Sequence, residues 1–440
     1  MKKSPQSSSQ KIPQFHKGHP QRTVKKQVLI SLSVLLFLVA TTVLIILYGK
    51  GYRLFVQHGE PTLTKTGILN LSSNPTGAEV YINSHLTTAT NNSLNLTPGT
   101  YSITIVKDGY LDWKKDFQVQ REVVSNAVAT LFPKAPSLQS ISTFGIKSVI
   151  IDPTGTKLAF NIASNSARKN GIYVYDMTSH NFPILAGQSS TTQIVDDTTD
   201  TFSEAKITWS PDGTQILASI TEPDSSTPTY YLLNANSLNQ TPQDITALYQ
   251  NTLDLWKQQR KDKETAQIKS LKPIVQKFAK ENFRILSWSP DDNKILYQAS
   301  ASAQMPVFIK PRLIGDNYLY ERRDLEKGAI YVYNIPEDYN TRVIAPISQV
   351  CTIDDPSCSC GQLTDCPAPL TWFPDSSHLL YVNDNKINVV EEDGSNMLTL
   401  YAGPFMDHYV FPWPDGSKIV ILTNLNNTSV QPTLYSIGLQ

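Results

Sequence analysis

Between Val28 and Tyr48 the chain runs 21 residues without a charge, with Ser and Thr as its polar guests. A helix of about 20 apolar residues spans the hydrocarbon core of a bilayer, so this run predicts a transmembrane helix over residues 27–48. The pattern then changes period. From Gly67 to Pro133 apolar residues recur at every second position in short runs, as in Ala78-Glu79-Val80-Tyr81-Ile82 and Tyr101-Ser102-Ile103-Thr104-Ile105. Turn residues separate the runs at Asn74–Gly77, Leu96–Gly99 and Lys107–Tyr110, and Trp113–Val119 makes a return strand. Strands of that period bury one face each, which predicts a small β-sandwich over residues 67–134. Residues 49–66 read as a linker leading away from the membrane.

Beyond residue 135 a five-residue signature punctuates the apolar runs. It is clearest at Trp209-Ser210-Pro211-Asp212-Gly213. It returns as Ile151-Asp152-Pro153-Thr154-Gly155, Trp288-Ser289-Pro290-Asp291-Asp292, Trp372-Phe373-Pro374-Asp375-Ser376 and Pro412-Trp413-Pro414-Asp415-Gly416. Proline presets φ and Asp followed by Gly supplies turn chemistry, so each copy predicts a hairpin. Structural roles in these turns are expected for Asp152, Trp209, Asp212, Trp288, Asp291, Trp372, Asp375, Trp413 and Asp415, the indoles filling gaps between packed sheets. The prolines at 153, 211, 290, 374 and 414 lie 58, 79, 84 and 40 residues apart. The shortest gap matches the roughly 40–45 residues of a four-stranded propeller blade, and the longer ones leave room for insertions. The fold expected for residues 135–440 is a five-bladed β-propeller, in an otherwise all-β chain with a single N-terminal membrane helix.

Within the first blade the strands are expected at Lys157–Ile162, Ile172–Asp176 and Phe182–Ala186. The last blade is one strand short, and Ser137–Phe144 is expected to supply that strand and close the ring. Two insertions interrupt the repeat. Residues 244–282 form a helical insertion in which Ile245, Leu248, Tyr249 and Trp256 share one face, as do Ile268, Leu271, Val275 and Phe278, with Pro273 kinking or dividing the second run. Nine basic residues fall between Lys257 and Arg284. A cap that packs its stripe on the propeller and solvates its lysines is favoured over a docking surface for an acidic partner. The second insertion, Ser300–Gly328, carries Phe308, Tyr318, Tyr320, Arg322 and Arg323, types that concentrate on recognition surfaces and also anchor ordinary loops.

Charge adds a direction. The 38 basic and 38 acidic residues cancel, which argues against a nucleic-acid partner. Residues 1–26 nevertheless hold seven basic residues and no acid. That composition predicts a disordered tail kept in the cytoplasm, with everything after residue 50 outside. A secretory signal would have an apolar core of about 7–15 residues and a small-residue cleavage site, and Tyr48-Gly49-Lys50-Gly51-Tyr52 offers none.

Two resemblances follow from these residues. Pro75, Gly77 and Ala78, with Thr76 in place of the usual Glu, together with Pro98-Gly99-Thr100-Tyr101 and Asp108-Gly109-Tyr110, resemble the PEGA domain. The resemblance implies a small extracytoplasmic β-sandwich that serves as a binding or spacer module without catalytic residues. The five turn signatures resemble the repeat of TolB-like β-propellers, a family related in architecture to WD-repeat propellers.

Candidate chemistry is sparse. Cys351, Cys358, Cys360 and Cys366 crowd a polar loop over 351–366 in a C-x₆-C-x-C-x₅-C spacing. Outside the cytoplasm this predicts two disulfides of open connectivity, since the C-x₂₋₄-C pairs of a zinc site are missing. No G-x-S-x-G occurs, and the chain stopping in its last blade leaves no room for a hydrolase sheet. No H-E-x-x-H, P-loop or dinucleotide fingerprint is present. Asp196, Asp197 and Asp200 lack the Gly turn and distal Glu of a calcium loop. No cofactor or metal is expected. The reading is therefore a membrane-anchored, extracytoplasmic binding or scaffold protein, non-enzymatic, that recognises an envelope protein or cell-wall glycan through propeller loops. The alternatives are an envelope-polymer-processing enzyme with its site in the propeller channel and, less supported, an inward-signalling receptor.

Overall fold

The computed structural model describes residues 21–49, 52–57, 60–142, 144–164, 166–178, 190–222, 227–314, 317–345, 370–406 and 409–439. Helix α1 spans Gln21–Gly49, and its stretch Lys26–Gly49 is long and apolar enough to cross a membrane. The helix thus starts six residues before the expected 27 and takes in the end of the basic tail. Gln, Arg and Lys are good helix formers, and extending an existing helix is far easier than nucleating one. Residues 1–20 lie outside the described residues. The stretch 49–66, expected as a plain linker, instead pairs Tyr52–Gln57 with Glu60–Lys65 as an antiparallel hairpin. Its Tyr, Phe, Val and Thr residues favour a pleated strand, which accounts for the difference.

The sandwich forms as expected. A three-stranded sheet holds Gly67–Asn74 between Asn92–Leu96 and Val124–Thr130, the last pair parallel. A four-stranded sheet runs in the order His85–Ala89, Glu79–Ile82, Gly99–Val106, Trp113–Val119. Alternate residues of each strand turn inward, so Leu69, Leu71 and Ala127 meet Val80, Ile103, Ile105 and Trp113 in one apolar core.

Among the described residues five four-stranded antiparallel sheets follow, four of them built as meanders and one completed by a strand from elsewhere in the chain. The first comprises Ile146–Ile151, Lys157–Ile162, Gly171–Asp176 and Thr191–Asp196. Its outer strand is therefore Thr191–Asp196, not the expected Phe182–Ala186, which lies outside the described residues. Thr191, Thr192, Ile194 and Val195 are β-branched strand formers, and their strand pairs with residues 171–175 of the third strand. The second sheet opens at Lys206–Trp209, the third at Phe283–Trp288, the fourth at Leu370–Trp372 and the fifth at Val410–Pro412. In the fifth, Leu138–Ser140 pairs with Thr433–Gly438. A segment that precedes the first sheet thus supplies the missing strand of the last. One apolar cluster then joins Phe160 and Ile162 of the first sheet to Val420, Leu422 and Leu434 of the fifth. These are propeller blades.

The insertion divides at proline, as expected. Helix α2 spans Tyr249–Ser270, and α3 spans Pro273–Asn282 with Pro273 in its first turn, where no intrahelical N–H is needed. Trp256 packs on Leu217 of the second blade beside the insertion's own Ile245, and Leu271, Val275 and Ala279 pack on Ile295 and Tyr297 of the third. The insertion therefore binds both blades through its apolar stripe. Leu248 and Ile268, expected on that stripe, are exposed.

The five turn signatures share one geometry. In each, the second residue bonds through its N–H to the carbonyl five positions on, as in Ser210 to Gln215 and Trp413 to Lys418, both at 2.9 Å. The fifth residue always has positive φ: Gly155 at 71°, Gly213 at 67°, Asp292 at 56°, Ser376 at 58° and Gly416 at 72°. This register puts Asp152 in the place of Ser210, and Trp413 there too, with buried Pro412 in the place of Trp209. Trp209 and Trp372 are buried between neighbouring blades, Trp209 donating its indole N–H to Ile150 of the first blade at 3.4 Å, whereas Trp288 is half-buried against the cluster of its own blade. Asp212 accepts from Ser210 Oγ and from the Thr214 amide, which hold its carboxyl below the usual range. Consecutive turns touch, since the Asp291 amide donates to Ser376 Oγ at 3.2 Å and a Cβ on Gly213 would lie 3.0 Å from Asp152 Oδ2. Gly213→Ala is accordingly expected to cost about 1–2 kcal/mol in denaturant unfolding, from the left-handed backbone and the tight approach together. Gly155, whose Cβ would meet nothing within 4 Å, should cost less on the same change.

Candidate functional site: the seam between sandwich and propeller

The sandwich rests on the turn face of the fourth blade. There Lys386–Glu391 ends in the turn Glu391–Asn396, held by Gly394 at φ 80° and Asn396 at φ 50°. A Cβ on Gly394 would stand 2.5 Å from the Arg342 carbonyl, so only glycine passes this close to the third blade. The turn aims Glu391 at the return strand Trp113–Val119. Its carboxylate accepts from Trp113 Nε1, from Lys115 Nζ at 2.6 Å, from Asn396 Nδ2 at 2.9 Å and from Ser395 Oγ at 3.1 Å. Lys115 Nζ also meets Asp393 Oδ2 at 2.5 Å. Burial opposes the lysine's charge, but Glu391 and Asp393 outweigh it and hold the ammonium well above its ordinary range. Backbone contacts reinforce the dock, with the Lys114 amide donating to Asn396 Oδ1 at 2.9 Å.

The aromatic and arginine loop turns largely inward. The Asp116 amide donates to Tyr320 Oη at 3.1 Å, and Asn317 Nδ2 donates to the Asp116 carbonyl at 2.8 Å, so this loop is the second foot of the sandwich. Phe308 packs among Phe278 and Tyr333. Arg323 pairs with Glu321 and Asp338, and Tyr318 stacks under Arg312 and against Tyr339. Arg322 alone of the five is left exposed.

A second charged layer lies beneath. Lys294 of the third blade pairs with Glu392 and donates to the Ser376 carbonyl at 2.8 Å. Burial pushes Glu392 up to about 7, only partly offset by Lys294, with Asp393 adding to the rise. His378 Nδ1 meets Asp375 Oδ2 at 2.6 Å. Burial works against the imidazolium, but the Asp375 hydrogen bond and charge raise its pKa on balance.

Beside this layer a cleft of about 310 Å³ opens between the two domains. Tyr110, Pro75 and Phe132 line it from the sandwich, and Phe373, Asp375 and Asp415 from the turns of the fourth and fifth blades. Phe132 anchors that contact, edge-on to Phe373 at 6.2 Å and to His378 at 5.7 Å. The turn residues Asp375 and Asp415, expected to be structural, thus also face a cavity. Trp113, Lys115, Glu391 and Phe132 carried no pattern of their own in the sequence. The acidic run Glu391-Glu392-Asp393 at the end of an apolar strand was the available signal.

The four cysteines and their loop lie outside the described residues. No group of His, Cys, Asp or Glu suited to a metal ion occurs among the described residues. Asp197 is instead occupied by the Ser203 amide and hydroxyl, and Asp196 by Thr198.

Residues 66–134 match the family model of the PEGA domain. The blades resemble, at low similarity, a TolB candidate from Agrobacterium tumefaciens with 16% identity and TM-score 0.21, covering 66% of this chain and 78% of that one. TolB from Acinetobacter baumannii is similar at 12% identity and TM-score 0.23, with 77% of this chain and 60% of that one covered. A prolyl endopeptidase is similar at 10% identity and TM-score 0.23, with 82% and 48% covered. This chain thus spans under half of the endopeptidase and three-fifths of the second TolB. None of the curated proteins matches. The chain joins a PEGA domain to a β-propeller behind one apolar helix, and the propeller rests on its own strand order rather than on these likenesses.

Two outcomes are expected. Lys115→Met strands two buried carboxylates and should loosen the dock, read as faster hydrogen exchange over 113–119 while the blade strands stay protected. Glu392, with its folded pKa above the unfolded value near 4.5, binds its proton more tightly when folded, so its contribution is full below that pH and is lost as pH rises towards about 7. His378 acts in the same direction. Glu392→Gln should therefore raise the melting temperature at pH 8, by an amount corresponding to about 2 kcal/mol, and leave it nearly unchanged at pH 4.

Proposed function

We propose that this protein is a membrane-anchored extracytoplasmic scaffold that binds an envelope protein or cell-wall glycan through the turn face of its propeller and the seam beside it, without turnover. The observation that carries the reading is the double dock of the PEGA domain, at Glu391 and at Tyr320. It makes sandwich and propeller one presenting body rather than a spacer and a separate head. Function on such folds sits on loops held by a rigid ring. The apolar helix supplies the anchor, and the seven basic residues before it favour an N-terminus in the cytoplasm. The four cysteines, in that compartment, would be oxidised as two bridges.

Protease added to intact spheroplasts should digest the propeller and spare a tag at Met1, while a photo-cross-linker at the exposed turn residue Asp212 captures an extracytoplasmic protein or glycan. A protected propeller, or capture of cytoplasmic proteins alone, would defeat this reading.

A further inference from the structure

The cleft between the domains has a chemistry of its own. Its three prolines, Pro75, Pro374 and Pro414, present rigid apolar walls and carry no backbone N–H. Its charged lining residues are the acceptors Asp375 and Asp415, and it includes no lysine or arginine. Asp375 has one oxygen on the His378 ring at 2.6 Å and the other on the Ser377 and His378 amides, so the freer acceptor is exposed Asp415, which has the Ser417 amide at 2.8 Å on one oxygen. Tyr110, half-buried, adds an aromatic wall from the opposite domain. A pocket near 300 Å³ with apolar walls and a few placed polar groups is of the size that takes a small group rather than a flat protein face. An occupant must bring donors and positive charge on a slender apolar stem. Carboxylates with an adjoining aromatic suit an ammonium or guanidinium, which gains from both.

Resting on the scaffold reading above, we infer that this cleft receives a lysine or arginine side chain of an extracytoplasmic protein partner, inserted between the PEGA domain and the turns of the fourth and fifth blades. Because the walls come from both domains, the site exists only while the sandwich is docked. Recognition is thereby tied to the Lys115–Glu391 contact, although neither residue lines the cleft.

The test uses the full chain in zwitterionic lipid nanodiscs, with labelled hexalysine as probe and its side-chain-acetylated form as the neutral control. Hexalysine should bind and the acetylated peptide should not. Asp415→Asn, which keeps the acceptor for Ser417, should weaken binding about tenfold, and Asp415→Lys should abolish it. Glu264→Gln, on exposed α2, should change nothing. Equal binding of both peptides, or equal weakening by Asp415→Asn and Glu264→Gln, would overturn the site. Captures in cells that persist on the Asp415→Lys variant would overturn it too, while leaving the scaffold reading intact.

Discussion

A buried carboxyl is costly unless its oxygens are filled, and Glu391 fills its own only by reaching into a second domain. Two of its four donors, Trp113 and Lys115, come from the sandwich. Remove the sandwich and Glu391 keeps only Ser395 and Asn396 of its own turn. The arrangement is mutual, because Lys115 is largely covered and has Glu391 and Asp393 as its counter-charges. Neither domain can bury its charged patch alone. The orientation of the PEGA domain on the fourth blade follows from that dependence, and the cleft follows from the orientation.

Ring closure obeys a similar logic with backbone groups in place of charges. A four-stranded blade built from three strands would leave one row of N–H and C=O groups unpaired at its outer edge. Leu138–Ser140 fills that row on Thr433–Gly438, which brings the start of the propeller to its end. The turn signatures then meet on one face. Their left-handed fifth residues let each turn approach its neighbour, as Ser376 does with Asp291. On that face Asp375 and Asp415 serve both as turn residues and as cleft wall, so a local device for bending the chain acquires a second surface.

The helical insertion shows how weak the link is between charge and role. Its lysines left a docking surface as the less favoured reading, and its structural work is done by Trp256, Leu271, Val275 and Ala279, which bind two blades. The aromatic and arginine loop likewise spends Tyr320, Phe308 and Arg323 on contacts within the chain. Both cases follow from the burial of large side chains, which favours internal packing unless a partner is present.

What the sequence determined by itself was whatever depends on neighbours along the chain. The membrane helix is legible as an uncharged run, the sandwich as a period of two, and the blades as a turn signature whose Pro, Asp and Gly act within five residues. Even the donated strand was legible, as a deficit in the last blade. The hairpin at 52–65 and the outer strand at Thr191–Asp196 were misplaced where short β-rich runs compete, since local preference there is weak. Tertiary structure alone decided the seam. Lys115 and Glu391 stand far apart in sequence and are ordinary as a strand lysine and a strand-end acid, and only packing puts them in contact. The cleft was equally invisible, because a cavity belongs to the space between elements, and no periodicity in a single strand encodes that space.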